Sequence, residues 1–245
     1  MNKMTHADTC DKCNPRPTAG LAGTMMFIPI SLGNHFYSSQ VLTVLLSHFV
    51  AQSRQSVIFL CDRLRFLSYE IRGEANFQRV NTNIRLQLDQ ITRSLINNGL
   101  NSYQNVRVAN WSYLEGDSRF GNLVIWLQKL VRDDPRVAQL ADDYARSLLS
   151  RFGEASWSSS KSISLQRQYI VEETALSLYM TELQGFNTEI YRRGMGFIDD
   201  LYTERRADLM SCLGKHILER RFVAIEDWLN GHSVRSTQEG THGSD

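Results

Sequence analysis

Residues 25–31 (Met-Met-Phe-Ile-Pro-Ile-Ser) form an unbroken apolar run of strand length. This is the pattern of a strand covered on both faces. Pro29 is awkward in a central strand, because it lacks the amide a ladder needs, and is better tolerated near the strand's end. A turn follows at Leu32-Gly33-Asn34-His35-Phe36-Tyr37. From Ser38 or Ser39, Val41, Val44, Leu45, His48 and Phe49 recur at helical spacing. Residues 56–62 (Ser-Val-Ile-Phe-Leu-Cys-Asp) predict a second buried strand that ends in an acid. Strand, turn, helix, strand is one βαβ unit. It predicts an α/β fold, Rossmann-like, with a parallel-sheet core and helices on both faces.

The remaining pattern predicts helices over about 66–98 with a break near Gly73, then over 117–131, 135–152, 163–183 and 194–218. Strands are expected at 105–111 and 186–191. Arg221 to Leu229 fits a strand or a helix end equally. The serine-rich stretch 153–164 predicts a surface loop. The expected division is a disordered leader at 1–23, one domain over 24–230 and a disordered tail at 231–245.

Composition narrows the class. Over 245 residues, 42% are hydrophobic and 22% charged, which excludes whole-chain disorder, collagen and coiled-coil rods. Lys and Arg number 27 against 26 Asp and Glu, a net charge of +1. A protein that coats nucleic acid would be far more basic. Residues 21–53 carry no charged side chain, but Pro29, Gly33 and Asn34 interrupt them, short of the roughly 18 apolar residues of a membrane span. The N-terminus lacks the apolar core of a signal peptide. Cys10, Cys13, Cys61 and Cys212 make no disulfide framework. The expectation is a soluble, cytoplasmic protein. Cys10-Asp11-Lys12-Cys13 stands alone, without the second half of a zinc site, and the six His have no metal-ligand spacing.

Ligands of open parallel sheets bind beyond the carboxyl ends of the strands. Ser31 is expected there, followed by Gly33 and the start of a helix whose free amides can stabilise an anion. Ser31 is a candidate nucleophile; a plain turn serine fits the same position. The Gly-x-Ser-x-Gly elbow, GxGxxG and GxxxxGK[ST] are all absent. A serine hydrolase or other acyltransferase would need His35 as its base, the only His nearby. Tyr169 and Glu173 stand four apart, on one helix face. Such a pair can hold an ammonium group and accept its proton; a packed Tyr beside a solvated Glu reads the same.

Together these pieces resemble the cyclodipeptide synthases. The resemblance rests on Ser31-Leu32-Gly33-Asn34 with aromatics behind it, on Asp62 and Gly73, on Tyr169-x-x-x-Glu173, and on Tyr191 about twenty residues later. It covers roughly residues 25–230. It implies a fold like the catalytic domain of class I tyrosyl- and tryptophanyl-tRNA synthetases. The implied activity joins two aminoacyl-tRNAs into a cyclic dipeptide (a 2,5-diketopiperazine), with no cofactor, ATP or metal. An aminoacyl ester is already activated, which agrees with the missing phosphate loops. Ser31 would be the nucleophile, and Tyr169 and Glu173 would hold the α-ammonium. The amine of a second aminoacyl-tRNA would then attack to give a dipeptidyl-enzyme, and Tyr191 would assist ring closure. Gly33 and Asn34 would shape the turn, and Phe27, Pro29, Phe59 and Cys61 would line the first amino-acid pocket. The helix that grips tRNA in this family matches residues 76–98, which offer only Arg79, Arg85 and Arg93. Arg192 and Arg193, after Tyr191, depart from the common subgroups and suggest contact with an acidic side chain. A monomer is expected. The non-enzymatic alternative is a tRNA-binding Rossmann module.

Overall fold

The computed structural model describes residues 21–74, 76–150, 160–194 and 196–230. Five strands form one sheet: β1 (Met25–Ile30), β2 (Gln55–Leu60), β3 (Val106–Asn110), β4 (Thr188–Tyr191) and β5 (Arg221–Ala224). Their order is β3-β2-β1-β4-β5, and every pairing is parallel. The chain builds outward from β1 to one edge and then returns to build the other. That reversal leaves a crevice at the carboxyl end of β1, the place where such Rossmann-like sheets bind ligands.

The apolar runs work because successive side chains alternate between faces. Met26, Ile28, Ile30, Ile58 and Leu60 join one core with α1 (Ser39–Val44) and α3 (Phe77–Asn97). Phe27, Val57, Phe59 and Cys61 join the opposite core with α4 (Ser118–Asp133), α5 (Pro135–Ser150) and α6 (Ser160–Leu178). Pro29 fits because β4 is in register with β1 only at Met26 and Phe27, so no ladder bond is asked of its nitrogen.

Several boundaries differ from the sequence reading. β2 stops at Leu60, and Asp62 opens α2 (Asp62–Ile71) instead of ending a strand. Its Oδ1 accepts from the Arg63 and Trp111 amides at 3.0 Å each, tying the start of α2 to the end of β3. α2 and α3 are separated at Gly73, whose φ of 75° favours glycine. α1 continues as a π-helical turn over Leu45–Phe49, and α6 likewise over Tyr179–Leu183. Residues 160–164 are helical rather than loop. The helix expected over 194–218 is α7 (Gly196–Glu204) and α8 (Arg206–Leu213). Arg221 to Leu229 holds both alternatives in turn: β5, then helix over 225–230. Of the disordered leader expected over 1–23, residues 1–20 with Cys10 and Cys13 lie outside the described residues, as do most of the loop over 153–164 and the tail. Residues 21–23 instead belong to the fold, with Leu21 buried in the core and the Gly23 amide donating to the Gln52 carbonyl at 3.0 Å. Among the described residues no helix is long and apolar enough to cross a membrane.

Candidate active site

Ser31 directly follows β1, and the chain turns at once. The Asn34 amide donates to the Ser31 carbonyl (3.3 Å) and the Tyr37 amide to the Asn34 carbonyl (3.2 Å). Asn34 Oδ1 accepts from the Phe36 amide at 3.1 Å. Gly33 has φ 69°, which favours glycine, and a Cβ there would come within 2.7 Å of the Arg65 guanidinium and displace it. Tyr37 Oη donates to the Pro29 carbonyl (3.1 Å) and pins the turn to the strand. α1 starts only at Ser39 and is capped by Ser38. The amides after Ser31 therefore belong to the turn and not, as expected, to a helix end.

The Ser31 hydroxyl lies 2.8 Å from Tyr191 Oη. Tyr191 Oη in turn donates to Glu173 Oε1 at 3.0 Å. The serine proton therefore points to the phenol, in a chain from hydroxyl to phenol to carboxylate. Its members come from the end of β1, the end of β4 and the middle of α6. Tyr169, one helical turn before Glu173, lines the same cleft. All four residues expected to be catalytic thus meet in one place.

The cleft tunes these groups. Desolvation raises the Glu173 carboxyl to about 7, helped by the nearby negative charge of Glu189 and opposed by hydrogen bonds from Tyr191 and Tyr169. Burial and the Glu173 charge raise the Tyr169 and Tyr191 phenols well above 10. Burial also raises the Cys61 thiol, leaving it a packed hydrophobe and not a rival nucleophile. His35 lines the cleft, but among the described residues the Ser31 hydroxyl bonds to Tyr191 and not to His35. The base that a hydrolase reading needs is not in place.

Beneath Tyr191 lies a small cavity bounded by Phe27, Pro29, Cys61, Leu64, Leu176 and Glu189. Phe59, expected in this pocket, is not on its wall. It is fully buried, packed edge-on against Phe27 and Trp111 at 6.3 and 6.1 Å between centroids. Arg192 and Arg193 line the cleft with Ser31 and Tyr191. Both are held by Glu226, and Arg192 reaches Asn34 Oδ1 (3.4 Å) and the Phe36 ring. Arg192 therefore braces the Ser31 turn. Arg79, Arg85 and Arg93 are exposed on α3. The α3 residues Gln87, Gln90, Ile91 and Ser94 line a second pocket, which shares Ser31, Gly33, Asn34 and Arg65 with the cleft.

Sequence reasoning missed two residues. Arg65 lines the cleft against Gly33 and donates to Gln87 Oε1 at 3.1 Å. Glu189 lies two positions before Tyr191, and a period of two puts both on one face; that was the available signal.

The family model described as "Cyclodipeptide synthase" matches residues 16–211. The chain belongs to the cyclodipeptide synthase family. That match contains Ser31, Tyr169, Glu173 and Tyr191. Among solved cyclodipeptide synthases, the chain is similar to one from Fluoribacter dumoffii at 17% identity and a TM-score of 0.68, covering 86% of this chain and 93% of that one. AlbC, from Streptomyces noursei, is 14% identical with a TM-score of 0.60, over 82% and 94%. A Mycobacterium tuberculosis protein, whose structure relates cyclodipeptide synthetases to type I tRNA synthetases, is 18% identical with a TM-score of 0.63, over 74% and 79%. No curated protein sequence matches significantly. At these identities the structural likeness to the solved synthases concerns the fold.

Proposed function

We propose that this member of the family uses two aminoacyl-tRNAs to make a cyclic dipeptide through acyl intermediates on Ser31. The reading is carried by the hydrogen-bonded chain from Ser31 through Tyr191 to Glu173. A hydroxyl is a weak nucleophile until a neighbour takes its proton. Here the phenol relays that proton toward a carboxylate that titrates near neutrality.

In the first step Ser31 Oγ attacks the ester carbonyl. The Oγ–carbon bond forms and the bond to the terminal ribose oxygen breaks. The serine proton, relayed by Tyr191, ends on that oxygen. Glu173 and Tyr169 then hold the α-ammonium of the bound residue. Glu173 takes one proton, and the free amine attacks the ester of a second aminoacyl-tRNA: the N–C bond forms, the bond to the ribose oxygen breaks, and the amine's second proton passes to that oxygen as the second tRNA leaves. A dipeptidyl-enzyme forms only in this direction. The opposite attack, expected from the resemblance, would free Ser31 and leave the dipeptide on the tRNA. Last, the terminal amine attacks the Ser31 ester, closes the six-membered ring and returns the proton to Oγ through Tyr191.

Each step exchanges one activated ester for another ester or for a more stable amide, so no ATP is consumed. The test supplies two charged tRNAs without ATP and follows intact protein and medium by mass spectrometry. An aminoacyl adduct on the wild type and a diketopiperazine are expected. Both should vanish in Ser31→Ala. A Ser31→Ala protein with unchanged turnover would remove Ser31 from this role.

A further inference from the structure

The cavity beneath Tyr191 contains an unusual wall. Phe27, Pro29, Cys61, Leu64 and Leu176 are what a hydrophobic pocket needs, but Glu189 is there too. Glu189 is fully buried, directly opposite Phe27 across the β1–β4 pairing. One of its oxygens is saturated: Oε2 accepts from Ser177 Oγ at 2.6 Å and from Arg220 Nε at 2.8 Å. The other, Oε1, has no hydrogen-bond partner among the described residues, and neither has Nη2 of the same Arg220. A buried acceptor without a donor is rare and unfavourable; it is relieved either by Arg220 Nη2 closing onto it or by a ligand that supplies a donor, and the two outcomes are separable by experiment.

Two further observations define that ligand. Arg220, with its side chain 5% exposed, neutralises Glu189, so the pocket offers an acceptor rather than an uncompensated negative charge. The cavity is small, about 10 Å³, with room for about one water. The donor must therefore arrive on a short, neutral side chain.

Resting on the synthase reading above, we infer that Glu189 is a specificity residue for the first amino acid and selects a short hydroxyl- or thiol-bearing side chain that donates a hydrogen bond to Oε1. With Ser31 acylated, the α-carbon stands beside Tyr191 and Glu173, which border the same cavity. The aminoacyl side chain then enters between Phe27, Cys61 and Leu176 and ends at Glu189. A polar site that loses its partner rejects the analogue lacking the donor far more strongly than an apolar pocket rejects a missing methylene.

The experiment charges one tRNA body separately with serine, alanine, cysteine, leucine and lysine. It measures the single-turnover rate of adduct formation on the full-length chain by intact-protein mass spectrometry. Serine and cysteine should acylate Ser31 on the order of 100-fold faster than alanine, which has the same reach without the donor. Glu189→Gln, which keeps an acceptor for Arg220 but turns an amide toward the cavity, should collapse the serine-to-alanine ratio toward one. Equal rates for serine and alanine on the wild type would overturn the inference, as would a preference for leucine or lysine. Equal rates are also what closure of the Arg220 fork onto Oε1 would give. The wild-type ratio decides even if Glu189→Gln fails to fold. Absence of any adduct with all five charged tRNAs would overturn the synthase reading itself, a result distinct from adducts formed without discrimination.

Discussion

Glu173 is the residue on which protonation and function meet. Its carboxyl titrates about 7 in the fold against an ordinary value of 4.5. Between those values the native state holds a proton that the unfolded chain has released. Stability therefore falls as pH rises from about 4.5 to about 7, and the penalty is fully present above that window. At roughly 1.4 kcal/mol per pH unit it reaches up to about 3 kcal/mol. Glu173→Gln removes the ionisable group. It should be more stable than the wild type at pH 8 by a margin that disappears near pH 4, read from urea midpoints. The same variant should lose the second acyl transfer, because no base remains for the bound ammonium. In the wild type, single-turnover acyl transfer should rise with pH through about 7. A flat profile would remove Glu173 from proton transfer. Sequence spacing had already put Tyr169 and Glu173 on one face; only the fold shows that Tyr191 reaches Glu173 directly, at 3.0 Å.

At the scale of elements, the site depends on how abruptly β1 ends. Gly33 adopts φ 69° and lies under the Arg65 guanidinium, while Tyr37 and Arg192 hold the far side of the turn. Gly33→Ala should cost about 1–2 kcal/mol for the left-handed conformation alone. It should also push Arg65 away and tilt Ser31 off Tyr191. We expect a modest drop in the urea midpoint and a fall of at least about 100-fold in acyl-enzyme formation, since small misplacement of reacting groups is costly. Wild-type acylation by a destabilised variant would show that the turn serves stability alone. This turn was legible because Ser31, Gly33 and Asn34 are adjacent in sequence. The role of Arg65 was not, since it reaches Gly33 from α2, and nothing local marks it.

At the scale of the whole molecule, a net charge of +1 sets what a tRNA partner would experience. Arg79, Arg85 and Arg93 are exposed along α3 and line neither the cleft nor the pocket next to it. If they meet phosphates, the triple alanine variant should weaken tRNA binding and flatten the logarithmic salt dependence by roughly 2 to 3. The rate of acyl transfer from bound tRNA should stay the same. An unchanged salt slope would place the tRNA on another surface. Legible along the chain were the βαβ opening, the position of Ser31 after a buried strand, and the helical face shared by Tyr169 and Glu173. These follow from side-chain periodicity and turn chemistry, which act over a few residues. Tertiary structure alone decided the rest. Tyr191 meets Ser31 across 160 positions because β4 returns to pair with β1. The same pairing sets Glu189 opposite Phe27 and into the cavity, while Phe59 is sealed behind. Parallel pairing joins segments that share no local signal, so which side chains face one another across the sheet depends on strand order and register.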